Sequence, residues 1–165
     1  MSHILIDLGD EKSTIIDKAD EVLCMGFSWR ALATDSRIIY AHTWHNKMHL
    51  YLHRLIIGAG PTDVADHVNG NGLDNRRINL RMATRSQNSA NRAGDVRKAG
   101  TTSVYKGVSW NKTKQKWVAY IHVNGKTRSI GYFVDELDAA IAYDKAASAT
   151  WGEFARLNLA TIERS

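Results

Sequence analysis

Residues 66–91 read DHVNGNGLDNRRINLRMATRSQNSAN, and this stretch decides the architecture of the first half of the chain. The preceding residues extend it to VADHV at 64–68, which predicts a short strand. Residues 69–75 are expected to form a loop, because Asn-Gly-Asn-Gly tolerates positive φ and nothing in it repeats at a strand period. A second strand is predicted by the alternating apolar residues Ile78, Leu80 and Met82.

A short polar helix closes the stretch. Thr84, with Gln87 three residues later, forms a capping box, which predicts that a helix begins there. Gly94 is expected to end this helix. Asn88 and Asn91 then share one helix face. The predicted order is strand, loop, strand and helix.

The adjacent Asp66 and His67 suit metal-assisted hydrolysis of a phosphodiester. That reaction needs a base for water, a Lewis acid at the phosphate and stabilisation of the leaving oxygen. Histidine, with an ordinary pKa of about 6.5, is a natural base, and oxygen ligands suit magnesium or manganese. Asn79 can bond to backbone across the loop and fix the orientation of His67. A purely structural histidine is the alternative.

Composition narrows the class of protein. The 165 residues suffice for one medium domain or two small ones, and 44% apolar with 24% charged residues is typical of a soluble globular protein. The sequence contains neither an apolar run near the roughly 20 residues that span a bilayer nor a secretory signal at its start. The single cysteine, Cys24, excludes an intrachain disulfide framework and a cysteine-rich zinc site, and favours a reducing cytosol.

The net charge of +5 is unevenly distributed. Residues 1–21 carry six acids against two lysines, whereas residues 96–134 carry eight Lys/Arg and no Asp or Glu. Such a basic block predicts a polyanionic partner, nucleic acid before membrane. A merely solvated basic face is the alternative.

The first 57 residues are typical of short strands. Strands are predicted at Ser13–Asp17 and Ser28–Thr34, and a hairpin at Arg37–His42 with Lys47–Leu55. The last of these segments has a mixed period, so it either stays extended or turns helical near His53.

The second half has a different pattern. Residues 94–103 are small, polar and basic, which predicts a linker. Three β-rich runs follow at Val104–Trp110, Lys116–Val123 and Lys126–Phe133, and Asn124-Gly125 predicts a type I′ hairpin turn between the last two. A helix is then predicted from the cap Asp135 to Gly152. Alternation divides the middle run into two faces, and we assign to DNA the face formed by Lys116, Val118, Tyr120 and His122.

The first half closely resembles the HNH (His-Me finger, ββα-metal) endonucleases, many of which are phage homing endonucleases. The resemblance rests on LHRLI at 52–56, DH at 66–67, NGNGLDNRRINLR at 69–81 and ATRSQNSANR at 83–92. It implies that Asp66 and Asn88 are ligands of Mg2+ or Mn2+, that His67 is the general base and that Asn79 positions it. Asn91 stays open as a second ligand, and His53 as either a packing residue or a phosphate contact. Candidate phosphate clamps, each of which could instead be solvated, are Arg76, Arg77, Arg81 and Arg85.

Residues 104–158 resemble the Apetala-type ethylene-response-factor (ERF) DNA-binding domain. The matching segments are YKGV at 105–108, KWVAYI at 116–121, IGYF at 130–133, AAIAYDKAA at 139–147 and ARLN at 155–158. The resemblance implies a three-stranded antiparallel sheet, backed by a helix, in the major groove. It adds as DNA contacts Lys106, Ser109, Trp110, Lys112 and Arg128. Trp110 and Trp117 also fit a packing role, which we favour for Trp117.

Together these features predict an α+β chain: an HNH nuclease domain at 1–93, a linker at 94–103 and an ERF-type domain at 104–160. The predicted function is a metal-dependent endonuclease of double-stranded DNA that nicks one strand per active site. It would act as a monomer or weak dimer, without a small-molecule cofactor or membrane, in the cytoplasm of a bacterial or phage-infected cell. The alternatives are a DNA-binding transcription regulator with a degenerate nuclease fold and a non-catalytic assembly or RNA-binding helper.

Overall fold

The computed structural model describes residues 2–34, 38–92 and 102–159. The chain divides into two compact units, an N-terminal unit at 1–84 and a C-terminal unit at 85–165. The division precedes the polar helix, whereas the predicted domain boundary follows it. Most of the predicted linker lies outside the described residues, as does Gly94, the predicted end of the helix.

The described part of the N-terminal unit contains three small antiparallel sheets. Strands β1 and β2 form one, β3, β4 and β5 the second, and β6 and β7 the third. Turns of 3-10 helix cover Lys18–Asp20 and Arg77–Asn79. In chain order the elements are β1 (His3–Gly9), β2 (Lys12–Asp17), α1 (Glu21–Cys24), β3 (Arg30–Ala33), β4 (Ile39–His45), β5 (Met48–Tyr51), α2 (Leu52–Ile56), β6 (Val64–His67) and β7 (Leu80–Ala83).

The strand predicted at 64–68 and the loop after it are confirmed. The second strand starts later than predicted, because Ile78 belongs to the 3-10 turn and is 84% exposed. The predicted hairpin is confirmed with shifted ends, since β4 pairs with β5 around a turn at Asn46 and Lys47, both at positive φ. The chain becomes helical at Leu52, which settles the mixed pattern.

One apolar core holds the N-terminal unit together. Its buried residues come from both hairpins, from α1 and α2 and from β7. Burying them supplies roughly 25 cal/mol per Å² of apolar surface. The core therefore fixes β6 and β7 against the sheets that precede them, through Leu8, Ile16, Cys24, Trp29, Ala41, Leu52, Ile56 and Leu80.

The C-terminal unit contains one three-stranded antiparallel sheet in the order β10-β9-β8. The strand predicted from Val104 begins only at Val108, but the other two predicted strands are confirmed to the residue. Asn124 and Gly125 have φ of 51° and 76°, as a type I′ turn requires. Its elements are α3 (Arg85–Asn91), β8 (Val108–Asn111), β9 (Lys116–Val123), β10 (Lys126–Phe133) and α4 (Glu136–Trp151).

Helix α4 covers one face of this sheet. It begins after the N-cap Asp135, and Gly152 follows it at a φ of 54°, both as predicted. Its small side chains let the helix lie close to the strands, and a Cβ added to Gly107 would overlap the Tyr143 ring. The shared core consists of Val108, Ala119, Ala139, Ala140, Tyr143, Ala147 and Ala155.

Within the described residues, none of the helices combines the length and apolarity that crossing a bilayer would require.

Candidate active site and nucleic-acid interface

The pairing of β6 with β7 places Asp66 and His67 at the end of a strand. Asp66 lies opposite Arg81, and His67 lies opposite Leu80. Both side chains are buried, at 5% exposure each. Burial makes the charged form of an ionisable group less favourable, so the neighbours of a buried side chain determine its protonation state and its reactivity.

A relay of hydrogen bonds fixes the tautomer of His67. The Thr14 hydroxyl donates to the carbonyl oxygen of Leu73 at 2.7 Å and accepts from Asn75 Nδ2 at 2.7 Å. The amide oxygen of Asn75 therefore faces His67, whose Nε2 lies 3.0 Å away and must carry the proton. Nδ1 of the neutral ring then holds the lone pair, which is what a general base needs.

Backbone hydrogen bonds between the 69–75 loop and β2 hold this relay in place. Asn75 N donates to Ile15 O at 2.8 Å, and Ile15 N donates to Leu73 O at 3.0 Å. A Cβ on Gly72 would lie 2.8 Å from the Tyr40 ring, so the loop needs glycine there to approach β4. Asn75 is fully buried as a result.

The backbone hydrogen bonds predicted for Asn79 are present, and its part in positioning His67 stays a prediction. Asn79 does bond across the loop, since its Oδ1 accepts from Asn69 N at 2.9 Å and its Nδ2 donates to Asp74 O at 2.7 Å. Both ends of its amide therefore serve the loop backbone, and the side chain on His67 Nε2 is Asn75. Sequence reasoning missed Asn75 because Asn75 and Asn79 both lie in the loop and turn between the strands, and Thr14, which orients it, lies 61 residues away.

Aromatic and imidazole rings enclose His67. The His53 ring lies 4.8 Å from it and the Tyr40 ring 5.8 Å, measured between centroids. Burial lowers the pKa of His67, although its hydrogen bond with Asn75 and nearby carboxylates oppose the shift. Burial also lowers the pKa of His53 to about 3, and His67 adds to this effect. Both rings are thus neutral at neutral pH.

His53 also has a buried nitrogen without a hydrogen bond. Its Nδ1 has no partner among the described residues, and the side chain is 7% exposed. His53 packs against His67 through its ring, and packing is one of the two roles left open for it by the sequence.

Asp66 provides the oxygen chemistry expected of a ligand for a hard cation. Its Oδ2 accepts a hydrogen bond from Arg81 Nε at 2.9 Å, and Arg81 Nη2 lies 2.9 Å from the same oxygen as an ion pair. Arg81 therefore neutralises the buried carboxylate, and a cation would compete with it for the same group. Among the described residues, no cluster of three or more His, Cys, Asp or Glu side chains is placed to hold a metal. Amide, water or phosphate oxygens would have to complete the set around Asp66, as suits magnesium.

The other predicted ligand belongs to the C-terminal unit. Asn88 is half-buried on α3, and Asn91 is buried on the same helix. Their part in the site stays a prediction.

Two more of the predicted phosphate clamps are held by carboxylates. The Arg76 guanidinium donates hydrogen bonds to both carboxylate oxygens of Asp74, at 2.7 Å each. The Arg77 guanidinium donates to both carboxylate oxygens of Asp20, at 2.7–3.0 Å. Arg76 contributes to the lowered pKa of Asp74. With Arg81 on Asp66, three of the four predicted arginines are ion-paired, and the fourth, Arg85, is exposed.

The predicted division of β9 into two faces is confirmed. Ala119 and Ile121 are buried, and Trp117 packs on the α4 core. The residues assigned to DNA point away from the helix and are exposed except for the half-buried Val118. Ser109 joins them as the partner of Val118, and Lys112 is also exposed. DNA contact by this face stays a prediction.

Three residues predicted to contact DNA lie elsewhere in the unit. The Lys106 ammonium donates to Ala90 O and Arg92 O near the end of α3, and burial lowers its pKa to about 8. Trp110 lies opposite Trp117, on the side of α4, with ring centroids 5.2 Å apart. Arg128 is exposed but lies opposite the buried Ile121, because a bulge in β10 follows only after Ser129.

Sequence reasoning also missed members of the exposed face. Thr127, Ser129 and Tyr132 lie opposite His122, Tyr120 and Val118, respectively. The Lys114 ammonium lies 3.8 Å from the Tyr132 ring centroid, a cation–π distance. Strand register, which the Asn124-Gly125 turn makes predictable, could have identified Thr127 and Ser129, whereas the bulge after Ser129 shifts the register at Tyr132.

Comparison with known proteins found a viral relative of this chain. The chain is 33% identical over 114 residues to an uncharacterised HNH endonuclease of Acanthamoeba polyphaga mimivirus. The match covers 68% of this chain and 57% of the viral protein, so the chain spans little more than half of that relative's length. No protein-family model and no solved structure matched the chain. The ERF resemblance of the second half therefore stays a prediction.

Proposed function

We propose that the chain is a metal-dependent DNA endonuclease in which His67 is the general base. The observation that carries this proposal is the relay from Leu73 O through Thr14 and Asn75 to His67 Nε2, which leaves the lone pair on Nδ1. A buried histidine needs one hydrogen-bond partner, but a three-member relay that selects its tautomer suits a base that must be neutral before it reacts.

The proposed reaction is hydrolysis of one phosphodiester bond. His67 Nδ1 takes a proton from water as the water oxygen attacks phosphorus. The bond from phosphorus to the 3′ oxygen breaks, and that oxygen leaves with the electron pair and is protonated from solvent. Asn75 keeps the ring in place while His67 becomes cationic, and the nearby carboxylates of Asp66 and Asp74 favour that charge.

Asp66 would hold the metal, with Asn88 as the second ligand predicted from the sequence. A bound Mg2+ or Mn2+ would supply Lewis-acid stabilisation of the charge that develops on phosphate and leaving group. Arg81 would release or share the Asp66 carboxylate when the metal binds. Removing metal with EDTA should therefore stop cleavage but spare the fold.

The exposed face of the C-terminal sheet would anchor double-stranded DNA. It presents Lys116, Tyr120 and His122 together with neighbouring hydroxyl side chains, and the sequence from 96 to 134 has no acid to repel phosphate. A sheet fits the major groove as well as a helix does. With one centre per chain, a monomer should nick one strand.

A supercoiled-plasmid assay with Mg2+ tests the proposal. The wild type should convert plasmid to the nicked form, and His67→Ala should lose this activity while it still shifts DNA in a gel. Ile78→Ala is the matched control, because Ile78 is exposed beside the same loop. Equal nicking by wild type and His67→Ala would contradict the proposal.

A DNA-binding regulator with a degenerate site is the second candidate. The contact between Arg81 and Asp66 favours it, since an arginine already neutralises the carboxylate that a metal would need. This candidate predicts an intact plasmid with Mg2+ and with Mn2+ at protein concentrations that shift all the DNA.

A further inference from the structure

A continuous run of rings leads from His67 to the exposed end of the β4–β5 hairpin. The members alternate along β4 as Tyr40, His42 and Trp44 and along β5 as His49 and Tyr51. Register confirms that they share a face, because His42 lies opposite Tyr51 and Trp44 opposite His49. We call these five residues, with His53, the ring track.

Neighbouring rings in the track lie at contact distance. Between centroids, Trp44 is 4.8 Å from His49, and His49 is 4.9 Å from His42. His49 and Tyr51 stack at 6.2 Å with an interplanar angle of 29°. The inner end continues from Tyr51 to His53 at 5.7 Å, and from His53 to His67 at 4.8 Å.

The track is buried at one end and open at the other. His53 is 7% exposed, whereas Trp44 is 63% exposed and His49 is also exposed. The opposite face of the same sheet contributes Ala41 to the apolar core, so the core does not require the outer rings. An exposed tryptophan beside stacked rings offers a π-face to a ligand.

The positive charge of Arg30 on this face favours an anionic ligand. Arg30 lies opposite His42, on the track face, and is exposed. The sequence between residues 36 and 62 contains no Asp or Glu. Stacking rings beside a cation are the features by which proteins bind unpaired nucleic acid. A duplex is a poorer fit, because its base faces are already covered by neighbouring bases.

We infer that the ring track binds an unpaired stretch of the DNA strand next to the phosphate that is cut. Bases stack on Trp44 and His49, and Arg30 contacts the backbone. The inner end of the track contacts His67, so a strand lying along the track leads towards this proposed general base. The inference that the bound strand leads to the site of cleavage rests on the proposed nuclease function. The inference that the track binds an unpaired strand does not.

Binding of labelled oligo(dT) and of a matched duplex, measured by fluorescence anisotropy in EDTA, tests the inference. Trp44→Ala should weaken oligo(dT) binding about tenfold, as expected for loss of one stacked base, and leave duplex binding unchanged. Trp44→Phe should retain most of the affinity. Met48→Ala is the matched control, since Met48 is 68% exposed on the same hairpin but belongs to the opposite face.

Three outcomes would overturn the inference: unchanged oligo(dT) affinity in Trp44→Ala, an equal loss for oligo(dT) and duplex, or tighter Trp44-dependent binding of oligo(rU) than of oligo(dT). Circular dichroism checks that each variant is folded. The plasmid assay separates this inference from the nuclease proposal. If the wild type fails to nick but Trp44→Ala still weakens oligo(dT) binding, the nuclease proposal fails and the track stands.

Discussion

The basic residues around the candidate active site and those on the C-terminal sheet have opposite surroundings. Around the candidate active site, Arg76, Arg77 and Arg81 each contact a carboxylate within 3.0 Å. On the C-terminal sheet, Lys116 and its neighbours are exposed in a segment without acids. The arginines of the first set form ion pairs that stabilise one arrangement of the chain. The cations of the second set are accessible to a partner.

This difference suggests a division of labour. A buried base must be held in one tautomer and orientation, and ion pairs that tie the loop to its surroundings help to do that. A surface that binds a polyanion gains most of its affinity from cations that phosphates can reach. Four variants test whether the division is correct.

Arg81→Gln should have the largest effect, and on stability. It leaves the buried carboxylate of Asp66 without its cation, which typically costs about 3–5 kcal/mol. Urea unfolding should show the loss, and added Mg2+ should restore part of it by binding Asp66. Arg85→Gln, at an exposed position, should change the free energy of unfolding by less than about 0.5 kcal/mol. A stable Arg81→Gln that binds DNA weakly would instead make Arg81 a phosphate clamp.

Asn75→Ala should mainly slow cleavage. Without the amide, His67 loses the partner that fixes its tautomer, and losses of about 10–100-fold are typical of such supporting groups. The fall should be in kcat, with DNA affinity unchanged. Thr14→Val removes only the hydroxyl that orients the amide and should cost less. If both variants cut at the wild-type rate, the relay has no role in catalysis.

His53 makes stability depend on pH. Its pKa is about 3 in the folded protein and about 6.5 when unfolded, so the unfolded chain takes up the proton first. Stability is therefore complete above pH 6.5 and falls between pH 6.5 and 3, by about 1.4 kcal/mol per pH unit. In His53→Phe, the number of protons taken up on unfolding between pH 6.5 and 3 should fall by about one, which makes the free energy of unfolding less dependent on pH. An identical slope in both proteins would mean that His53 is charged in the fold.

Lys116→Ala should have the smallest effect, on duplex binding. Removing one phosphate contact should lower the slope of log affinity against log salt by about 0.9 and weaken binding a few-fold at low salt. Lys145→Ala is the matched control, because Lys145 is exposed on α4, which covers the other face of the sheet. Equal slopes for the two variants would argue against the sheet face as the anchor.

Much of the fold could be predicted from the sequence because its signals are local. Alternation identified β9 and β10, and Asn124-Gly125 identified their turn, since only a few residue types adopt positive φ at both positions. The ends of β7 and β8 were less predictable. Ile78 and Val104 continue an apolar pattern, but tertiary packing leaves both exposed, at 84% and 68%.

The sequence by itself determined which groups could react: an adjacent Asp66 and His67, a glycine- and asparagine-rich loop and a basic second half. Only the tertiary structure decided what each group meets. It placed Thr14 beside Asn75, Asp20 beside Arg77 and His53 beside His67. The physical reason is that periodicity and turn chemistry report a residue's own backbone, whereas hydrogen bonds and ion pairs between distant segments depend on how the sheets pack around one core.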